Sequence, residues 1–195
     1  MLNKLMWASN WAGFLAISSY AMFATAAYVQ YPGAFTPATH WLSDLGDIRQ
    51  NPSGAWVYNL GIILTGVFVF LFFLSRRSWK MGSHRVQNTM VLVTQIFGCL
   101  GSLCLILSAV YPISQIEQHR FWSISMYILL GTGFAFSVAA LRYQPNYPAV
   151  VLALGATTAG VDIFSGIFSQ VTFLEWITVA LFLIYLLVLS VITSI

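Results

Sequence analysis

Residues 53–75 read SGAWVYNLGIILTGVFVFLFFLS, a run without one charged side chain. A bilayer-spanning helix needs about 20 such residues. The run is continuous rather than alternating, so it does not read as a strand of a membrane barrel. In hydrocarbon the backbone must satisfy its own hydrogen bonds, which makes the run a transmembrane helix. Composition extends that reading to the whole chain of 195 residues: 59% are hydrophobic and 7% charged, against about 25% charged in a soluble domain. The expected fold is all-α, one polytopic domain over 1–195.

Working outward, five more apolar runs appear. Residues 11–29 form the first, preceded by Lys4 and containing Ala24-Thr25-Ala26. That pattern mimics a signal peptide with a cleavage site, but we read it as a retained first helix. The others are 86–111, 115–141, 148–168 and 173–195. Pro112 breaks the third run, and Ser114 to Glu117 fits a capping box opening the fourth helix; Thr172 to Glu175 repeats it for the sixth. Asn146 reads as the cap before the fifth. In that fifth helix Gly155 with Ala159, and Ala156 with Gly160, give small-xxx-small spacing for central packing. The sixth is bulky and almost without polar groups, so it is expected to face lipid.

Basic residues set the orientation. With both termini cytoplasmic, Lys4, Arg76, Arg77, Lys80, Arg85 and Arg142 lie inside, and only Arg49 and Arg120 lie outside. The expected location is the cell membrane, with loop 30–52 extracytoplasmic. The basic cluster after residue 75 is then a topology signal, and no clustered basic face for nucleic acid is seen. Cys99 and Cys104 point to different helix faces and read as reduced packing residues.

Rare polar groups mark where function is expected. Loop 30–52 carries His40, Ser43, Asp44, Asp47 and Arg49. Thr36-Pro37 reads as a cap and first turn, and Gly46 as the end of a short helix on which His40 and Asp44 share a face. Asn51-Pro52 repeats the cap-then-proline signal. Asp162 lies inside the fifth helix, where a bare charge costs at least about 2.5 kcal/mol. It should face the bundle and either be protonated or find a partner, with His119, Arg120, Arg49 and Asn59 as candidates. The candidate ligand-binding set is therefore Asp162, His119, Asn59, Asp44, His40 and Ser43. Each has a blander reading. Asn59 braces the loop, His40 and Asp44 anchor it, and Asp162 makes a buried structural bond. Glu117 and Glu175 are explained by capping, and Asp47 by pairing with Arg49. Trp41, Trp56, Trp122 and Trp176 read as interfacial anchors.

The run Ser43-Asp44-Leu45-Gly46, then Asn51-Pro52, Tyr58-Asn59, Gly61 and Gly66, resembles the DUF998 family of six-helix membrane proteins. His119 matches a histidine that opens helix four there. The layout is also similar to the broader Frag, DRAM and Sfk membrane proteins, some implicated in lipid remodelling. The resemblance implies a lipid connection and assigns no catalytic residue.

The leading expectation is an outward-facing polar pocket that binds or remodels a lipid or other amphiphile, without a cofactor. One rival is a metal-dependent lipid hydrolase in which His40, His119, Asp44 and Asp162 hold zinc. Another is a non-enzymatic scaffold or accessory subunit. Expected partners are membrane lipids, with a protein partner or a second copy docking through the helices.

Overall fold

The computed structural model describes residues 2–144, 147–168 and 171–192, with side chains from Trp11 onward. Among the described residues there are six α-helices: α1 Leu2–Val29, α2 Ala55–Ser75, α3 Arg85–Val110, α4 Ile116–Leu141, α5 Ala149–Ile167 and α6 Thr172–Ile192. All six are long and apolar enough to cross a membrane. Successive helices pack together, and α6 returns to α1, so they close a ring. Short breaks enforce this order. Pro112 follows α3, and Pro148 stands at the N-cap of α5, where its fixed φ and missing N–H cost nothing.

Some local expectations give way to packing. The N-cap of α4 is Gln115 rather than Ser114, and it makes no side-chain cap bond. The box expected at Thr172 to Glu175 does not form, because both side chains are engaged by the loop after α1. Thr172 Oγ1 donates to Pro37 O, and Glu175 Oε2 accepts from Leu42 N–H at 2.7 Å. Asn146 lies outside the described residues. On α5, Gly155 and Ala159 are buried while Ala156 and Gly160 are exposed, so one of the two small pairs packs. A side chain on Gly155 would run into the Tyr185 hydroxyl. Helix α6 packs against both α1 and α5, buries Tyr185, Leu186 and Leu189 completely, and leaves Phe173, Ile177, Ile184, Leu187 and Val191 exposed.

Arg76 corrects another expectation. It is 0% exposed, in a 3-10 turn over Arg76–Trp79, and is not a surface charge. Its guanidinium lies 4.1 Å from the Phe72 ring centre and 5.1 Å from that of Trp79, and its Nε donates to Phe72 O. Two ring faces and hydrogen bonds compensate what burial takes from the charge. Above this turn the interior is closed by rings. Phe134 touches Phe73, Phe182 and Tyr185, with centroids 5.1 to 5.7 Å apart. Cys99 and Cys104 are free thiols.

The loop from residue 30 to 54 stays at the opposite end of the ring. Asn51 holds it there: Nδ2 donates to Ala27 O and Leu45 O, and Oδ1 accepts from Gly54 N–H. The proline-linked cap is thus also a clamp between α1, the loop and the turn that leads into α2. Residues Leu42–Gly46 form a short 3-10 helix. His40 lies before it in a separate turn, so His40 and Asp44 do not share a helix face. Gly46 is needed where that helix meets α2. A Cβ there would strike the Asn59 side chain and come within 2.9 Å of the Tyr58 ring.

Candidate functional site

At the loop end the ring is hollow. An inner cavity of about 80 Å³ is lined from every helix: Tyr20 of α1, Tyr58 and Asn59 of α2, Ser108 of α3, His119 and Tyr127 of α4, Asp162 of α5 and Glu175 of α6. A second, outer cavity of about 220 Å³ lies between the loop, the start of α4, the end of α5 and the start of α6. Ser43, His119, Ser123, Tyr127 and Glu175 line both. The inner space is room for several waters, each needing roughly 10–15 Å³ on this measure.

Asp162 is the anomaly in this cavity. It is 1% exposed, and neither carboxylate oxygen has a hydrogen-bond partner among the described residues. Buried polar atoms in folded proteins are nearly always paired, so such an atom calls for an explanation. At 1.5 Å per residue it stands roughly 20 Å along α5 from Ala149, inside the apolar span. The four partners suggested by the sequence do not bond to it. Arg49 turns to Asp47, Arg120 is exposed, and His119 and Asn59 share the cavity without touching its oxygens.

His119 is positioned by backbone. Its Nδ1 lies 2.8 Å from Ser108 O and 3.0 Å from Tyr111 O, the last turn and C-cap of α3. Carbonyls only accept, so Nδ1 carries the proton and Nε2 is left for the cavity. Asn59 has the bracing role as well as a place in the lining, since its Nδ2 donates to Gly46 O at 3.0 Å. Ser43 sits between the two cavities and against the Glu175 carboxylate.

The other two sequence candidates lie outside the cavities. Asp44 accepts from Trp41 N–H at 2.9 Å and from Gln50 Nε2 at 3.0 Å. Burial pushes its carboxyl above the ordinary value, and these two bonds pull partly back. His40 bonds Thr39 Oγ1 through Nδ1 and stacks on Phe35 at 5.1 Å, while its carbonyl accepts from Trp176 Nε1. Both therefore anchor the loop. Asp47 does pair with Arg49, at 2.8 Å, and its Oδ1 also accepts from the Arg49 backbone N–H. Burial opposes ionisation of Asp47, but the Arg49 hydrogen bonds and charge outweigh it and hold the carboxyl below its usual range. Among the described residues no three His, Cys, Asp or Glu side chains gather as a metal-holding group. Of the suggested zinc set, His119 and Asp162 line the inner cavity, and Asp44 and His40 do not.

Glu175 and the tyrosines 20, 58 and 127 are lining residues that the sequence reading passed over. The capping-box pattern gave Glu175 a sufficient local explanation. Its rarity, one of five acids in the chain, was the signal that should have weighed more.

The fold and its site define a class: an all-helical, multi-pass membrane protein with a hollow at one end of a six-helix ring. Residues 14–192 match the family model described as protein of unknown function (DUF998), and the chain belongs to that family. No curated protein and no solved structure matches it.

Proposed function

We propose that the paired cavities are a binding site for a membrane amphiphile, its head in the inner cavity and its tail in the outer one. The single observation that carries this reading is Asp162, a buried carboxylate with two unpartnered oxygens, in the lining of the inner cavity. An intramembrane ionisable group is expensive, and its cost is met when a ligand supplies the missing partner. The outer cavity supports the assignment of the tail. Ile113, Ile116, Ile124, Val171 and Leu174 line it, and Ile116 and Val171 are exposed at its rim.

We orient the site away from the cytoplasm. Arg77, Lys80, Arg85 and Arg142 stand at the far end of the ring, and the excess of basic residues marks the cytoplasmic side. Loop 30–52 is then extracytoplasmic, and the cell membrane is the host we favour.

Native mass spectrometry of gently solubilised protein tests the reading, with spectra taken before and after metal chelation. A retained lipid-sized mass that survives chelation and is lost from His119→Ala is the expected result. A bare monomer, or an added mass near one zinc that the chelator removes, overturns it.

A further inference from the structure

We infer that the head accepted by the inner cavity is a primary ammonium, carried on an alkyl or acyl chain; this rests on the amphiphile-site reading above. The buried unpartnered atoms of the cavity lining are Asp162 Oδ1 and Oδ2 and the Tyr20 hydroxyl. The carboxylate oxygens accept, and the hydroxyl accepts as well as donates. The lining holds two carboxylates, Asp162 and Glu175, and no lysine or arginine. Arg120 lines only the outer cavity.

Each alternative head fails on that list. A phosphate, sulfate or carboxylate brings more acceptors and a like charge against Asp162. A neutral hydroxyl supplies a donor and leaves the carboxylate uncompensated. A trimethylammonium supplies charge without any N–H, so both Asp162 oxygens stay unbonded. A primary ammonium has three N–H donors and one positive charge, which match the two Asp162 oxygens, the Tyr20 hydroxyl oxygen and one uncommitted carboxylate. Glu175 is already occupied by Leu42 N–H. Tyr20, Tyr58 and Tyr127 line the same space, and aromatic faces favour a cation. The small inner volume admits an ammonium with a carbon or two, leaving the chain to run past Ser123 into the outer cavity.

Calorimetry on the protein in phosphatidylcholine nanodiscs, with empty nanodiscs as blank, separates these heads. The probes are octylammonium, octyltrimethylammonium, octanol and octyl sulfate. Octylammonium should bind saturably, one per chain, and at least about tenfold tighter than the other three. Asp162→Asn should weaken it by about the same factor while keeping the wild-type melting temperature. Ser123→Phe, which obstructs the passage between cavities, should abolish it. If Asp162→Asn does not fold, the ranking of the four probes on the wild type still decides. Equal binding of octanol and octylammonium, blocked by Ser123→Phe, overturns the ammonium assignment and leaves the amphiphile site standing. So does a preference for octyl sulfate or for the quaternary amine. Absence of saturable binding by any probe overturns both.

Discussion

Toward Arg76, the space inside the ring is filled by Phe72, Phe73, Phe134, Phe182 and Tyr185, all buried, with ring edges meeting ring faces. Toward the loop, the same six helices leave a hollow lined by hydroxyls, an imidazole and two carboxyls. Both halves are made from one set of helices, so helix packing alone does not explain the difference. Phe134 sits at the middle of the filled half, against Phe73, Phe182 and Tyr185, whereas Ala109 and Ser123 line the hollow one beside Tyr20, Tyr58 and Tyr127.

Breaking the filled half should therefore give the largest loss. Phe134→Ala is expected to cost about 3–5 kcal/mol, as for other large buried aromatics. It should lower the thermal midpoint in detergent while the lipid-sized mass is retained. Loss of the bound mass at nearly wild-type stability would mean that the two halves are not separable. Asn51→Ala comes next. It strips the clamp of three hydrogen bonds at a fully buried site and should cost about 2–3 kcal/mol, with protease sensitivity concentrated in the loop.

Asp162→Asn sharpens the comparison from the other side. No hydrogen bond is lost, so stability should stay within about 0.5 kcal/mol of wild type or rise. A large fall in the melting midpoint would show that the acid braces the helices. The smallest effect belongs to pH. Asp47 has a lowered pKa, so its stabilisation is present above the ordinary carboxylate value and fades as pH falls through the lowered one. Asp44 is raised, so its contribution is present at low pH and fades as pH rises through the raised value. The two oppose each other. Arg49 is also 63% exposed, so solvent screens its pairing with Asp47. Hydrogen exchange at the loop amides should change little on mild acidification, and Asp47→Asn should remove the low-pH component.

The six spans were legible because lipid demands long apolar runs, and Pro112, Pro148 and the loops punctuate them. Asp162 was legible for the same reason: a charge in such a run has no ordinary excuse. What sequence reading missed involved competition between near and far partners. Glu175 satisfied a local capping pattern, yet its carboxylate binds a backbone N–H 133 positions earlier. Arg76 looked like a member of a surface cluster, yet Phe72 one turn before it and Trp79 three residues after it provide rings that make burial tolerable. His40 and Asp44 had helical spacing, but the 3-10 helix begins at Leu42, and His40 follows a separate turn at residues 37–39. Local spacing cannot report a partner that arrives from another helix.

The first turns of α6 hold the early loop at three points: Thr172 on Pro37, Glu175 on Leu42 and Trp176 on His40. A chain made from its N-terminus onward reaches those residues well after the loop they hold. Until α6 is in place, Leu42 N–H and the carbonyls of Pro37 and His40 lack these partners, and the chamber has no sixth wall. The chamber is thus complete only once α6 has packed against α1 and α5. A protein cut short before Thr172 would keep five of its membrane spans and have no enclosed chamber.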